Sequence, residues 1–371
     1  MGLILRAKTK DLFAGGKPLT DSQKHNSKLN YSEMNRWGRI LSSSPRRVVI
    51  ELTNSCNLNC FMCGRPAVDF KNTYFNIDWM GKINHILNYT EEVTLMGWGE
   101  PMVHPQFREI LGYLNHFPVR KYICTNGTLL DKYREDLFKA KLDILAVSLD
   151  GAYPPTNDRI RCGSSLEKVT ASLRRIVRER GELGVGYPYI NFVFTAMKSN
   201  IAELPHMVSL AHEIGIEEVK VVYLTVMSED LLKESLYDRA DCVAQEFKEA
   251  EDVAKELGIA LKLPYIQNED PAVSRMHRDC YVPWRDLFIG SDGYVRPCMS
   301  CAKKLISIQN GTFDDIWNSE QFQNLREGIN DPWMMPSECK RCYQSSIANW
   351  NLKQSWVQVG EQFAPAWEKE Q

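Results

Sequence analysis

The sequence predicts an α/β chain, a partial (β/α)6 barrel followed by a small α+β domain. Two observations carry this. Between residues 46 and 225, six short β-branched runs alternate with amphipathic segments, the pattern of a parallel sheet covered by helices. After Pro264 the texture changes to two short strands around Ser291-Asp292-Gly293, a hairpin signal. An open doubly wound sheet shows the same alternation and stays as the second architecture.

Residues 1–44 are polar and broken by Gly15-Gly16 and Ser42-Ser43-Ser44, with one helix expected over 22–40 and no compact domain. Strands are expected over 48–52, 93–96, 121–124, 144–148, 190–195 and 219–224. Amphipathic helices fall between them at 78–87, 107–114, 132–140, 166–178 and 203–214. One long charged helix over 230–257 leads out of the barrel. The hairpin strands are placed at 284–290 and 294–298, with short helices at 313–317 and 322–329. The expected division is an N-terminal extension (1–44), the barrel (45–261) and a second domain (262–371).

The 371 residues carry 45 Lys+Arg and 47 Asp+Glu, a net charge of −2, which provides no basic footprint for nucleic acid or an anionic membrane. With 44% hydrophobic and 25% charged residues the composition is that of a globular chain. No run approaches the roughly 18 apolar residues of a membrane span. The first residues lack a secretory apolar run, and Arg6 stands where a myristoylation motif needs Ser or Thr. The expected compartment is therefore the reducing cytoplasm, where thiols stay free or bind metal.

Of 11 cysteines, three fall within Cys56-x3-Cys60-x2-Cys63 and five lie between Cys280 and Cys342. The first group directly follows the first strand, and strand carboxyl ends are where parallel α/β folds build sites. Three close thiolates can wrap one iron–sulfur cluster and leave one iron open to a ligand. The alternative is a structural zinc with a distant fourth ligand, although zinc more often takes two separated pairs.

This loop resembles that of the radical S-adenosylmethionine (SAM) enzymes, and the resemblance covers about residues 46–225. It implies a 4Fe-4S cluster on Cys56, Cys60 and Cys63 whose open iron holds SAM, and cleavage of SAM to a 5′-deoxyadenosyl radical that abstracts a substrate hydrogen. Met62, after Phe61, stands where the family carries an aromatic beside the adenine. Gly97-Trp98-Gly99-Glu100 resembles the family's Gly-Gly-Glu segment, with its backbone and Glu100 at the cofactor's ammonium. Asn126 follows the third strand, Ser148 the fourth, and Arg161 lies beyond. The resemblance places Ser148 at the ribose or carboxylate and Arg161 at the carboxylate, a planar partner that suits a guanidinium. Taken singly, the Asn-Gly and Asp-Gly pairs read as turn formers.

The second cysteine group superficially resembles a zinc ribbon, but the gap between Cys298-x2-Cys301 and Cys339-x2-Cys342 exceeds the roughly 15–20 residues such pairs favour. It more closely resembles the shortened SPASM, or twitch, extension of radical SAM enzymes. The spacing of 18 from Cys280 to Cys298 and the closing Cys-x2-Cys resemble those of the 2-deoxy-scyllo-inosamine dehydrogenases. The resemblance implies one auxiliary 4Fe-4S cluster on Cys280, Cys298, Cys339 and Cys342. For Cys301 three readings stay open: a buried thiol, a replacement ligand or a hydrogen-atom donor.

A fully ligated auxiliary cluster implies electron transfer, hence an oxidoreductase acting on a small polar substrate such as a sugar or cyclitol, with flavodoxin or ferredoxin as reductant. The alternatives are a ribosomal-peptide maturase making a crosslink or epimer, a redox-neutral sugar epimerase, or a non-enzymatic scaffold. The last fits poorly with an open three-cysteine site. Trp284, Trp317, Trp333, Trp350, Trp356 and Trp367 crowd the C-terminal part and read as core or cluster shielding before a sugar platform. Tyr223, Glu269, Asp270 and Asp279 fall near the expected mouth as proton acceptors.

Overall fold

A computed structural model describes residues 18–65, 71–226, 229–236, 238–264, 266, 280–298, 301, 303–331, 333–337, 339, 356–359 and 362–365. Seven strands lie parallel and in chain order: β1 (Arg47–Ile50), β2 (Glu92–Leu95), β3 (Arg120–Thr125), β4 (Ile144–Ser148), β5 (Tyr189–Ala196), β6 (Glu218–Tyr223) and β7 (Ala260–Lys262). The helices are α1 (Asp21–Asn35), α2 (Met80–Ile83), α3 (Phe107–Leu114), α4 (Leu130–Lys139), α5 (Pro154–Ile160), α6 (Leu166–Glu182), α7 (Leu204–Ile214) and α8 (Ala240–Leu257). The sheet order is open at β7, as in a partial barrel.

Period-2 alternation divides the sheet into two chemical faces. Val48, Ile50, Val93, Leu95, Ile123, Leu145, Phe192 and Val219 are fully or almost fully buried in the main apolar core. The alternate register positions carry Arg47, Glu92, Thr94, Tyr122, Cys124, Asn191 and Glu218. Tyr122 lies within electrostatic reach of Cys124, Glu92, Glu218 and Arg47, so these polar side chains share one face of the sheet. Burial of this kind holds only when polar groups are partnered, as Thr94 Oγ1–H is by Glu92 Oε1 (2.8 Å).

The expected second domain continues the same sheet. After α9 (Val282–Arg285), β8 (Asp286–Ile289) pairs parallel with β1, Val49 opposite Phe288. The hairpin read at Ser291-Asp292-Gly293 is present, β8 pairing antiparallel with β9 (Tyr294–Arg296), and β10 (Ile306–Ser307) closes the edge. Then come α10 (Phe313–Trp317), capped reciprocally by Thr312 and Asp315, and α11 (Glu320–Gly328). β11 (Trp356–Val359) and β12 (Gln362–Pro365) form a separate ribbon.

Two expectations change. The helix expected over 230–257 is broken into a 3-10 segment, Glu229–Glu234, and α8. The 198–199 turn captures Glu234: Lys198 N–H donates to its carbonyl (2.9 Å) and Ser199 N–H to its carboxylate (3.1 Å). Lys198 also pairs with Asp238 at 2.8 Å, so tertiary partners outcompete helix continuation. The helix expected over 78–87 is a single α turn between two 3-10 segments, where Gly81 and Asn84 weaken α propensity.

α1 is docked, not a loose extension. Gln23 donates to Thr90 O (2.7 Å), and Asn30 donates to Trp284 O (2.7 Å) and Ser43 Oγ (2.9 Å). Trp284 and Trp317 are buried and donate their indole N–H to Gly38 O (2.8 Å) and Ser43 O (2.9 Å), the core role expected of them. Trp333 is exposed. The side chains of Trp350, Trp356 and Trp367 lie outside the described residues.

Candidate active site

The cysteine loop begins where β1 ends. Ser55 N–H donates to Thr53 Oγ1 (3.0 Å), turning the chain at once. Asn59 N–H donates to Cys162 O (2.9 Å) and Phe61 N–H to Ile160 O (3.1 Å), strapping the loop to the end of α5. Cys63 N–H donates to Cys60 O (3.1 Å), a closed β-turn. Cys60 has Cys56 and Cys63 within electrostatic reach, so the three thiols share one locale. Burial pushes the Cys60 thiol up to about 11, opposed mainly by Arg161. Burial also raises Cys56, opposed first by the Leu58 N–H and further by Arg65 and Asn126. A metal centre reverses this, because a coordinating thiol is deprotonated outright.

The residues fit an iron–sulfur cluster with a polar co-ligand. Ser55 Oγ, Arg65 Nε and Arg161 Nε are buried and without a hydrogen-bond partner, donors poised around the thiols. Among the described residues no three His, Cys, Asp or Glu side chains close on a point sized for one metal ion. A cubane takes each thiolate on a different iron and spreads its ligands more widely.

The 97–100 segment after β2 lies against this loop. A Cβ on Gly99 would collide with the Ser55 and Thr53 carbonyl oxygens, and one on Gly97 with the Glu51 side chain. Glycine is therefore required by close approach. The resemblance puts Glu100 at the cofactor's ammonium, but the structure turns its carboxylate inward. Glu100 is 2% exposed and accepts from Asn126 N–H (2.7 Å), Thr125 Oγ1–H (2.8 Å) and Met102 N–H (3.1 Å). Burial nonetheless holds its carboxyl up at about 7. Residues 97–99 themselves are partly exposed.

Asn126 spans two loops. Its amide donates to Asn57 Oδ1 (2.9 Å) and lies 3.8 Å from Cys56 Sγ. Gly127, at φ 80°, completes the turn that only glycine adopts freely. Ser148 ends β4 with its hydroxyl 3.8 Å from Cys124 Sγ. Arg161 pairs with Asp150 at 2.7 Å, and both are buried. Met62 packs with Phe61 on Ile160, Met197, Leu224, Val226 and Leu231, a small apolar wall beside the thiols. Tyr223 is buried against Phe247, while Glu269, Asp270 and Asp279 lie outside the described residues. The sequence reading missed Glu51, whose carboxylate accepts from Trp98 N–H (2.9 Å) and Ser291 N–H (3.1 Å). The available signal was an acid closing an otherwise apolar strand directly before the cysteine loop.

The second thiol group lies beyond β9. Cys280 N–H donates to Asn330 Oδ1 (2.7 Å). Cys301 N–H donates to Cys298 O (3.2 Å). The Cys339 thiol is hydrogen-bonded to Cys301, and that bond, burial and the neighbouring Cys301, Cys298 and Cys280 all push it up. Cys342 lies outside the described residues.

Residues 50–193 match the Radical SAM superfamily, and residues 280–343 match SPASM, an iron–sulfur cluster-binding domain. The chain is a radical SAM enzyme with a SPASM domain. The cofactors of this radical SAM enzyme are 4Fe-4S clusters and SAM. It is 26% identical over 316 residues to the tungsten-containing aldehyde ferredoxin oxidoreductase cofactor-modifying protein of Pyrococcus furiosus, covering 79% of this chain and 86% of that one. It is 26% identical over 320 residues to PqqA peptide cyclase of Gluconobacter oxydans, covering 81% and 84%. Streptococcus suis SuiB bound to S-adenosylmethionine shares the fold, with a TM-score of 0.64 and 18% identity over 86% of this chain and 76% of that one. Among the described residues no helix is long and apolar enough to cross a membrane.

Proposed function

We propose that this radical SAM enzyme modifies a peptide, removing two hydrogens to form a new bond. The observation that carries the reading is the similarity to PqqA peptide cyclase, which runs through both the barrel and the SPASM part. The fold is also compatible with a peptide, since SuiB is solved bound to its precursor peptide SuiA. The small-sugar dehydrogenase favoured by cysteine spacing becomes the second reading.

When bound, the clusters and SAM supply a 5′-deoxyadenosyl radical and an electron acceptor. The chain's own residues bind and orient. Cys56, Cys60 and Cys63 hold the first cluster, and Asn126 fixes Cys56 through its amide. The 97–99 backbone and Arg161 receive the amino and carboxylate ends of SAM, Ser148 the ribose, and Met62 with its apolar wall the adenine. Glu100 braces the turn that carries Asn126. Cys280, Cys298 and Cys339 hold the auxiliary cluster, with a fourth thiolate from Cys301 or Cys342. In this reading residues 45–261 form the radical unit and 262–371 the auxiliary unit, joined by the shared β8–β1 pairing.

The test is an anaerobic assay of the reconstituted enzyme with SAM, a reductant, and a panel holding short peptides encoded beside its gene, sugars and cyclitols. The expected result is a peptide lighter by two hydrogens, formed together with 5′-deoxyadenosine. Oxidation of a sugar with every peptide unchanged would replace this reading with the dehydrogenase.

A further inference from the structure

We propose that Cys301 is a ligand of the auxiliary iron–sulfur cluster, supplying a corner that the motif spacing assigned to Cys342. The argument starts from the first cluster loop. There the Cys60-x2-Cys63 turn closes by an N–H···O bond of 3.1 Å from the second cysteine back to the first. Cys298-x2-Cys301 repeats that turn with the same bond at 3.2 Å. A β-turn of this kind delivers its first and last residues to neighbouring positions, which is what two corners of one cluster require.

The surroundings agree. Cys301 is 5% exposed and Cys339 9% exposed, both within the main core, and Cys280 and Cys298 pack against it. The Cys301 thiol contacts Cys339 directly, and Cys298 and Cys280 lie within electrostatic reach of the same sulfur. Three separate segments thus bring four thiols into one neighbourhood, Cys301 and Cys339 buried and in contact, Cys280 and Cys298 half-buried and within electrostatic reach of Cys339. A cubane is held by four thiolates, so these four are a complete ligand set. A spectator cysteine filling a core gap needs no such partners.

The experiment uses the full chain with Cys56, Cys60 and Cys63 replaced by Ala, so that only the auxiliary cluster remains. Into it are placed Cys301→Ala or Cys342→Ala. Iron content and the electron paramagnetic resonance (EPR) spectrum of the reduced cluster are read on each. The expected result is that Cys342→Ala keeps about four irons and the parental spectrum, while Cys301→Ala loses iron or changes the spectrum. Retention of both iron and spectrum by Cys301→Ala, or loss of the cluster in Cys342→Ala alone, overturns the assignment. Cys301→Ala in the otherwise native chain should keep the wild-type far-ultraviolet circular dichroism spectrum and a cooperative unfolding transition, which shows that the protein has folded. If it does not, Cys301→Ser, which keeps the volume, takes its place, and a parental EPR spectrum from that variant equally overturns the assignment.

Discussion

Glu51 and Ser291, 240 residues apart in the chain, are bound to each other twice: Ser291 gives both its backbone N–H (3.1 Å) and its hydroxyl (2.8 Å) to one Glu51 carboxylate oxygen. The other oxygen accepts the Trp98 N–H at 2.9 Å. One buried side chain at the end of β1 therefore ties the glycine segment of the radical site to the hairpin of the SPASM part.

Glu51→Ala takes the acceptor from the buried Ser291 N–H and the part-buried Trp98 N–H, each costing about 1–3 kcal/mol at most. A loss of about 2–6 kcal/mol in urea unfolding is expected, together with weaker SAM binding as the 97–99 backbone loosens. Glu51→Gln, which keeps one acceptor, should fall between. Wild-type stability in Glu51→Ala would show that the clasp carries no load.

Glu100 supplies a pH signature. Its folded carboxyl sits at about 7 against an ordinary 4.5. Below 4.5 both folded and unfolded forms hold the proton; between 4.5 and 7 only the folded form does. The favourable contribution is therefore full at low pH and is lost as pH rises through about 7, a decline of about 3 kcal/mol. Glu100→Gln should lack that decline when urea unfolding is compared with wild type across this range. An identical slope in the two proteins would place the titration elsewhere.

Much of this site was legible because strand ends leave local signals. β4 and α3 fall where the alternation placed them; the cysteine loop, glycine segment and Asn126 each come after a strand end, and Ser148 is the last residue of β4. What was not legible depends on distant partners. α1 docks through buried amides on Gln23, Asn26 and Asn30 that satisfy backbone carbonyls, so it lacks the apolar stripe that marks a docked helix in sequence. The inward role of Glu100 depends on the Asn126 N–H and the Thr125 hydroxyl from another segment, beside the local Met102 N–H, and the motif alone does not reveal which way a carboxylate turns. The pairing of β8 with β1 spans most of the chain, a contact that no local pattern encodes.

Under the proposed function, in which the auxiliary cluster accepts an electron, Cys339 ties that site to the fate of the substrate. Removing a ligand changes the net charge and potential of a cluster. Cys339→Ala should continue to form 5′-deoxyadenosine while the two-hydrogen-loss product falls at least tenfold below it, about 1.4 kcal/mol or more of lost coupling. Both products are measured in one assay with the peptide substrate. A wild-type ratio would make the auxiliary cluster structural and favour a redox-neutral reaction.

The most direct test of the radical site is 5′-deoxyadenosine formation from SAM under reducing, anaerobic conditions, measured beside iron content. The wild-type protein should hold about eight irons, two cubanes of four, and form 5′-deoxyadenosine. The variant with Cys56, Cys60 and Cys63 replaced by Ala should keep about four irons in its auxiliary site and form none. Unchanged 5′-deoxyadenosine formation in that variant would contradict the assignment of the radical chemistry to this loop.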